Sequence, residues 1–205
     1  MSIYEWPSTN AFRWAGQATL HVIDNTQRIF ESPTSGDTRT KSMPGARWAW
    51  EFSLPAENHD DRRAIEGYMV RLSGRIHRVR LWDQMRPTPL GTINMSGVTL
   101  ASSSAQFSQS LVLAGCGNSK TLLAGDWLSV GGQLFMSAED AQSNAGGQMA
   151  VEVRQMTRAI IASSSAVQLI KPTALYIRTE GTLSLPRVAQ HTQLDANLSF
   201  VEVFE

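Results

Sequence analysis

The strongest constraint on the fold is a change of hydrophobic period between residues 47 and 82. Trp48, Trp50, Phe52 and Leu54 alternate with Arg47, Ala49, Glu51 and Ser53. A two-residue repeat with three aromatics on one side specifies a half-buried strand. Pro55 ends it, because proline cannot donate to a ladder. Beyond Asn58 the period becomes helical: Asp61, Ala64, Ile65, Tyr68, Met69 and Leu72 recur three or four apart. Asn58 is the expected N-cap, and Asp60 and Asp61 sit where the helix dipole favours anions. Arg71 and Arg75 lie near the other end, and Gly74 suits a left-handed cap. A strand over residues 76–82 follows. The order read here is strand, turn, strand, helix, strand.

Residues 18–23 also read as a strand, after an extended N-terminus in which Trp14 and Gly16 continue an alternation. Asn25 and Thr26 mark a turn into Arg28-Ile29-Phe30. Residues 32–45 are rich in Pro, Gly, Ser and Thr, and read as a loop. A loop this long inside a compact protein is either a binding arm or a surface connection.

Asp83 to Gly91 carries two prolines and a glycine and marks a boundary. From there the composition shifts to Ser, Gly, Ala and short apolar runs. Strands are expected at 92–95, 109–113, 127–130, 133–136 and 148–153, with Gly131-Gly132 as a two-residue hairpin signal. Further strands are expected at 167–170, 175–178 and 198–204, and 183–193 reads as a polar connection around Pro186. The fold class is therefore mainly β: a β-sandwich with one short helix packed on a sheet, plus a small inserted antiparallel β domain. Residues 1–90 with 154–205 form the main domain and 91–153 the insertion, with 157–161 and the C-terminal strands returning to the first sheet. The near-identical Ala-Ser-Ser-Ser-Ala runs at 101 and 162 have diverging flanks, so they are two similar loops and not a repeat.

Composition narrows the function. Eighteen basic and eighteen acidic residues cancel, so neither general nucleic-acid binding nor polybasic membrane attachment is expected. Lysine is confined to Lys41, Lys120 and Lys171; the arginine excess fits either protein interfaces or genomic base composition. Cys116 is the single cysteine, which excludes an internal disulfide and fits a reducing assembly compartment. No signal peptide and no membrane span are expected.

No constellation of catalytic residues emerges. Gly115-Cys116-Gly117-Asn118-Ser119-Lys120-Thr121 has Ser119 where a phosphate-binding loop needs glycine, and a loop between strands explains it. His21, His59, His77 and His191 lack metal-ligand spacing. No Gly-x-Ser-x-Gly elbow singles out a serine. Asp60 and Asp61 are explained by the helix start, and Asp126 by a turn. Catalytic, metal and cofactor sites are accordingly expected to be absent.

The Phe-x-Ser-Pro-x-x-Gly run at Phe30 and the Pro-Gly-x-x-Trp strand at Pro44 come before a helix that ends in Leu-x-Gly and a following strand. With Gly125-Asp126-Trp127 and Gly146-Gly147-Gln148, this pattern resembles tail proteins of long-tailed bacteriophages, most nearly the distal tail protein at the tail tip. The likeness runs from about Phe30 to Arg158. It implies a virion protein assembled in the host cytoplasm. Copies would form a homohexameric ring joining the tail tube protein to the tail hub protein, with a channel for the tape measure protein and then DNA. It implies no enzyme activity.

Arg75, Arg78 and Arg80 with His77 form the densest basic run. It suits an acidic neighbouring subunit, DNA passing through a ring, or a charged strand edge that resists aggregation. The zero net charge favours a subunit contact. With Ser32, Pro33, Arg39 and Lys41 of the loop, these are the candidate intersubunit residues. The alternative reading is a carbohydrate- or host-surface-binding β-sandwich over 92–153, although Trp127 alone is a poor sugar platform. A cell-wall hydrolase is a third reading, for which the sequence offers no acid/base pair.

Overall fold

The computed structural model describes residues 1–7, 12, 18–23, 28–41, 45–54, 59–180 and 196–204. The first strands are β1 (Ile3–Glu5), β2 (Ala18–Ile23), β3 (Arg28–Glu31), β4 (Thr38–Lys41) and β5 (Arg47–Leu54). Helix α1 (His59–Arg71) and β6 (Arg78–Leu81) follow. Then come β7 (Thr99–Leu100), β8 (Ser110–Ala114), β9 (Thr121–Leu122), β10 (Trp127–Val130) and β11 (Gln133–Met136). The last are β12 (Ala141–Gln142), β13 (Met149–Glu152), β14 (Ala174–Arg178) and β15 (Ala196–Glu202). The described residues are mainly β with one helix, in keeping with the alternating pattern.

Six strands form one mixed sheet in the order β1-β6-β14-β15-β5-β2. Only β1 and β6 pair in parallel; the other neighbours are antiparallel. Trp48, Trp50 and Leu54 of β5 are buried on one face, together with Phe200, Tyr176, Val79 and Leu81. Helix α1 covers this face through Ile65, Tyr68 and Met69, with Leu72 just beyond its end. Asp60 and Asp61 occupy its first turn, and Gly74, at φ 65°, takes the left-handed conformation that terminates it.

A second core lies between Ile93 and Leu169 and centres on Leu111, Leu113, Phe135 and Val151. Small antiparallel sheets surround it: β13-β8-β7, β12-β9 and the β10-β11 hairpin. That hairpin turns at Gly131 and Gly132, at φ 61° and 78°, the paired positive values a two-residue turn needs. Its two faces go to different cores. Trp127 and Leu134 join the first core, whereas Leu128 and Phe135 join the second.

Two buried carboxylates fasten the 83–91 connection. Asp83 accepts from the Met85 amide, the Arg86 guanidinium and the Trp127 indole. Asp126 accepts from the amides of Leu90, Gly91 and Leu123.

Four expectations change. Residues 32–45 are not wholly a loop: Thr38–Lys41 is a strand, and it pairs with Arg28–Glu31. Residues 92–95 form no strand; Ile93 donates to the Thr121 carbonyl instead. Residues 167–170 contribute one bridge, Ser129↔Gln168. Residues 157–161 do not return to the large sheet: Thr157 bonds Ser108, Ile161 bridges Ser104, and Ile161 packs in the second core. An apolar residue reads the same from sequence whichever core receives it. Pro55, Asn58, Asn25, Thr26, Trp14, Gly16, His191, the 183–193 connection and the side chain of Phe52 lie outside the described residues.

Two glycines test this packing in opposite directions. A Cβ on Gly91 would stand 2.2 Å from the Thr121 carbonyl oxygen, a backbone atom. Gly91→Ala should destabilise the protein by about 1–3 kcal/mol. Gly67, within α1, has nothing within 4 Å of its Cβ position. Gly67→Ala should stabilise by about 0.5–1 kcal/mol. Urea unfolding of both variants measures the contrast.

Candidate functional site

The structure separates the candidate residues into two groups. Ser32, Pro33, Arg39 and Lys41 lie on the β3–β4 hairpin. Arg75, Arg78 and Arg80 lie on or just before β6, beside the edge strand β1. The hairpin instead branches from the end of the β2–β5 ladder, where Ile23 faces Arg47. The two groups are thus rooted toward opposite edges of the large sheet.

The hairpin is an arm. All eight residues of its two strands are exposed, and among the described residues it joins no other sheet. Ile29 is 69% exposed and Phe30 57%. Its turn is locally well made: the Ser32 amide donates to the Asp37 carbonyl, and the Gly36 amide to the Ser32 carbonyl. Ser35 donates its amide to the Ser32 hydroxyl.

The pairing register distributes the arm's charges unevenly. Arg28 faces Lys41, and Phe30 faces Arg39. With the period of two, these four share one face, while Ile29, Glu31, Thr38 and Thr40 take the other. Like charges directly opposite one another oppose pairing. Among the described residues, no ion pair engages Arg28, Arg39 or Lys41. An isolated two-stranded hairpin is at best marginally stable in water. The arm therefore exposes two large apolar side chains and three cations on a ribbon that gains little from its own fold.

The β6 group is more fully engaged at home. Arg80 pairs with Glu5 at 2.7 Å. Arg78 donates its backbone amide to the Ser2 carbonyl and a guanidinium N–H to the Arg75 carbonyl. Arg75 donates to the Thr179 carbonyl. These arginines knit β1, β6 and β14 together as well as presenting charge.

The face of the large sheet opposite α1 carries Thr19, Glu51, Ser53, Asn197 and Ser199, placed there by the alternation that buries Trp50 and Phe200. With Glu180, they border a groove of about 400 Å³. Glu51 and Glu180 are exposed, and Glu51 approaches His21 at 3.5 Å. The composition of β5 does not reveal this acidic groove, because Glu180 comes from a distant strand end.

Beneath the opposite face, sequence reasoning missed Glu202. It is fully buried at the junction of the two cores. Its carboxylate accepts from the Trp48 amide at 3.2 Å and the Leu134 amide at 3.4 Å. Burial pushes its pKa up to about 7, against the opposing pull of those amides and of the Arg158 and Arg47 guanidiniums. Arg158 and Arg47 both stack on Phe204, two residues along. Trp127, the one aromatic considered as a sugar platform, is only 2% exposed and packs edge-on against Trp48.

Glu202 yields a pH prediction. Its folded pKa lies above its ordinary value, so its contribution to stability is present at acid pH and is lost as pH rises through about 7. The lost contribution is on the order of 3 kcal/mol. Urea midpoints measured between about pH 5 and about pH 8 should fall for the native chain. Glu202→Gln should remove that part of the slope whatever its effect on absolute stability.

Compared with models of known protein families and with curated proteins, the sequence matches none.

Proposed function

We propose that this chain is a structural subunit of the tail tip of a long-tailed bacteriophage, resembling the distal tail protein. Copies associate head to tail into a homohexameric ring between tail tube and hub, leaving a channel for the tape measure protein and then DNA. In this reading the protein is built into the virion after assembly in the host cytoplasm, and its work is mechanical, with no catalytic turnover.

The observation that carries the reading is the β3–β4 arm. An exposed ribbon bearing Ile29, Phe30 and three cations gains its stability from what it touches. The sheet supplies the second requirement. Its free face and the arm are different surfaces, and a contact between unlike surfaces closes into a ring when the rotation allows. For the sugar-binding alternative, Trp127, already a poor sugar platform by sequence, is buried. No other observation favours it.

Mass in solution and imaging of the assembled particle test the proposal. A closed oligomer, placed at the tail tip when this chain is labelled in the virion, is the expected outcome. A chain that stays monomeric at every concentration and joins neither tube nor hub would refute it.

A further inference from the structure

We propose that the cationic face of the β3–β4 arm docks in the acidic groove of a second copy, where Glu51 and Glu180 receive Arg28, Arg39 and Lys41. This inference rests on the ring reading above and gives its contact a specific chemistry.

Three observations converge on it. The first is charge. The arm gathers Arg28, Arg39 and Lys41 around Phe30 on one face, and Arg28 stands directly opposite Lys41. That arrangement costs stability in the isolated chain and is relieved by carboxylates placed between the cations. The second is the receptor. The groove is floored by short side chains, Thr19, Ser53, Asn197 and Ser199, with Glu51 and Glu180 on its border. Short polar residues leave room for a ribbon, and two exposed carboxylates supply the opposite sign.

The third is placement. The arm leaves the β2–β5 ladder at the Ile23↔Arg47 end, while the groove lies at the Thr19↔Glu51 end. The four steps from Arg47 to Glu51 span about 13 Å of strand. Donor and receptor are separate surfaces on one chain, so each copy can use both at once. The zero formal charge of the whole chain fits a charged surface whose complement lies on the same molecule. A nucleic acid would satisfy the arm but would leave the acidic groove without a purpose.

Charge reversal tests this in the full-length chain. Arg39→Glu with Lys41→Glu alters the arm, and Glu51→Lys with Glu180→Lys alters the groove. Each pair alone should weaken self-association by roughly tenfold or more, read by sedimentation at fixed salt. Melting near the native temperature shows that each variant folds, and Arg39→Gln with Lys41→Gln provides a milder arm variant. Mixing the arm and groove variants should restore both contacts, native arm in native groove and reversed arm in reversed groove, and so yield an assembly in which the two variants alternate. Placing all four reversals in one chain should restore the native assembly.

Assembly unchanged by both reversals would overturn the arm-to-groove pairing while leaving the ring reading intact. Loss of assembly in the arm variant alone would place the cationic face on a different surface of the second copy, and would likewise overturn it. A native chain that never self-associates would overturn both.

Discussion

The structure depends on one buried carboxylate. Glu202 lies on the last turn-ward residues of a central strand, yet it points inward and binds the amides of Trp48 and Leu134. Those two residues also meet directly, because the Trp48 indole donates to the Leu134 carbonyl at 3.1 Å. One amide belongs to the large sheet and the other to the hairpin that walls off the second core. A charged or polar group at such a junction is costly unless it is hydrogen-bonded. Here it satisfies two backbone donors that the meeting of a sheet and a hairpin would otherwise leave buried. Apolar packing alone could hold the two layers at several offsets. A carboxylate bonded to both fixes one.

That junction explains why the β10–β11 hairpin is buried on both faces. Trp127 and Leu134 face one core and Leu128 and Phe135 the other. The hairpin acts as a shared wall, and Asp83 and Asp126 tie the adjoining connection to it. The large sheet spends one face on α1 and the hairpin wall. Its other face exposes Thr19, His21, Glu51 and Asn197, and in chain order the arm follows the end of the β2–β5 ladder.

Much of this was legible in the sequence because the governing patterns are local. The alternation at Trp48, Trp50 and Leu54, the helical spacing of Ile65, Tyr68 and Met69, and the Gly131-Gly132 turn each need only a few neighbouring residues. The C-terminal apolar run was rightly placed in a sheet for the same reason. What escaped was long-range. The β4 strand, Thr-Arg-Thr-Lys, has no apolar face, because none of its side chains enters a core. Periodicity reports burial, so an exposed ribbon is silent to it. Glu202 was hidden by its type: a glutamate between Val201 and Val203 reads as the polar side of an edge, and only the distant amides of Trp48 and Leu134 make it an inward residue. Residues 157–161 read as returning to the first sheet, yet Ile161 bridges Ser104 and packs in the second core, because a partner more than fifty residues away leaves no mark in local spacing.

The arm's sequence also bears on which symmetry a self-contact takes. Two identical arms meeting about a twofold axis would bring Arg28, Arg39 and Lys41 against the same three cations, and like-charge juxtaposition suppresses that encounter. The same charges discourage edge-to-edge ribbon pairing, the commonest hazard of an exposed strand. An isologous contact through the cationic face is thereby disfavoured, whereas a contact between that face and a carboxylate-bearing surface is not. Surfaces that differ can meet head to tail, and such contacts continue until rotation closes them or a filament grows. The register that places Arg28 opposite Lys41, and Phe30 opposite Arg39, thus does more than expose charge. It disfavours the contact of one cationic face with another about a twofold axis.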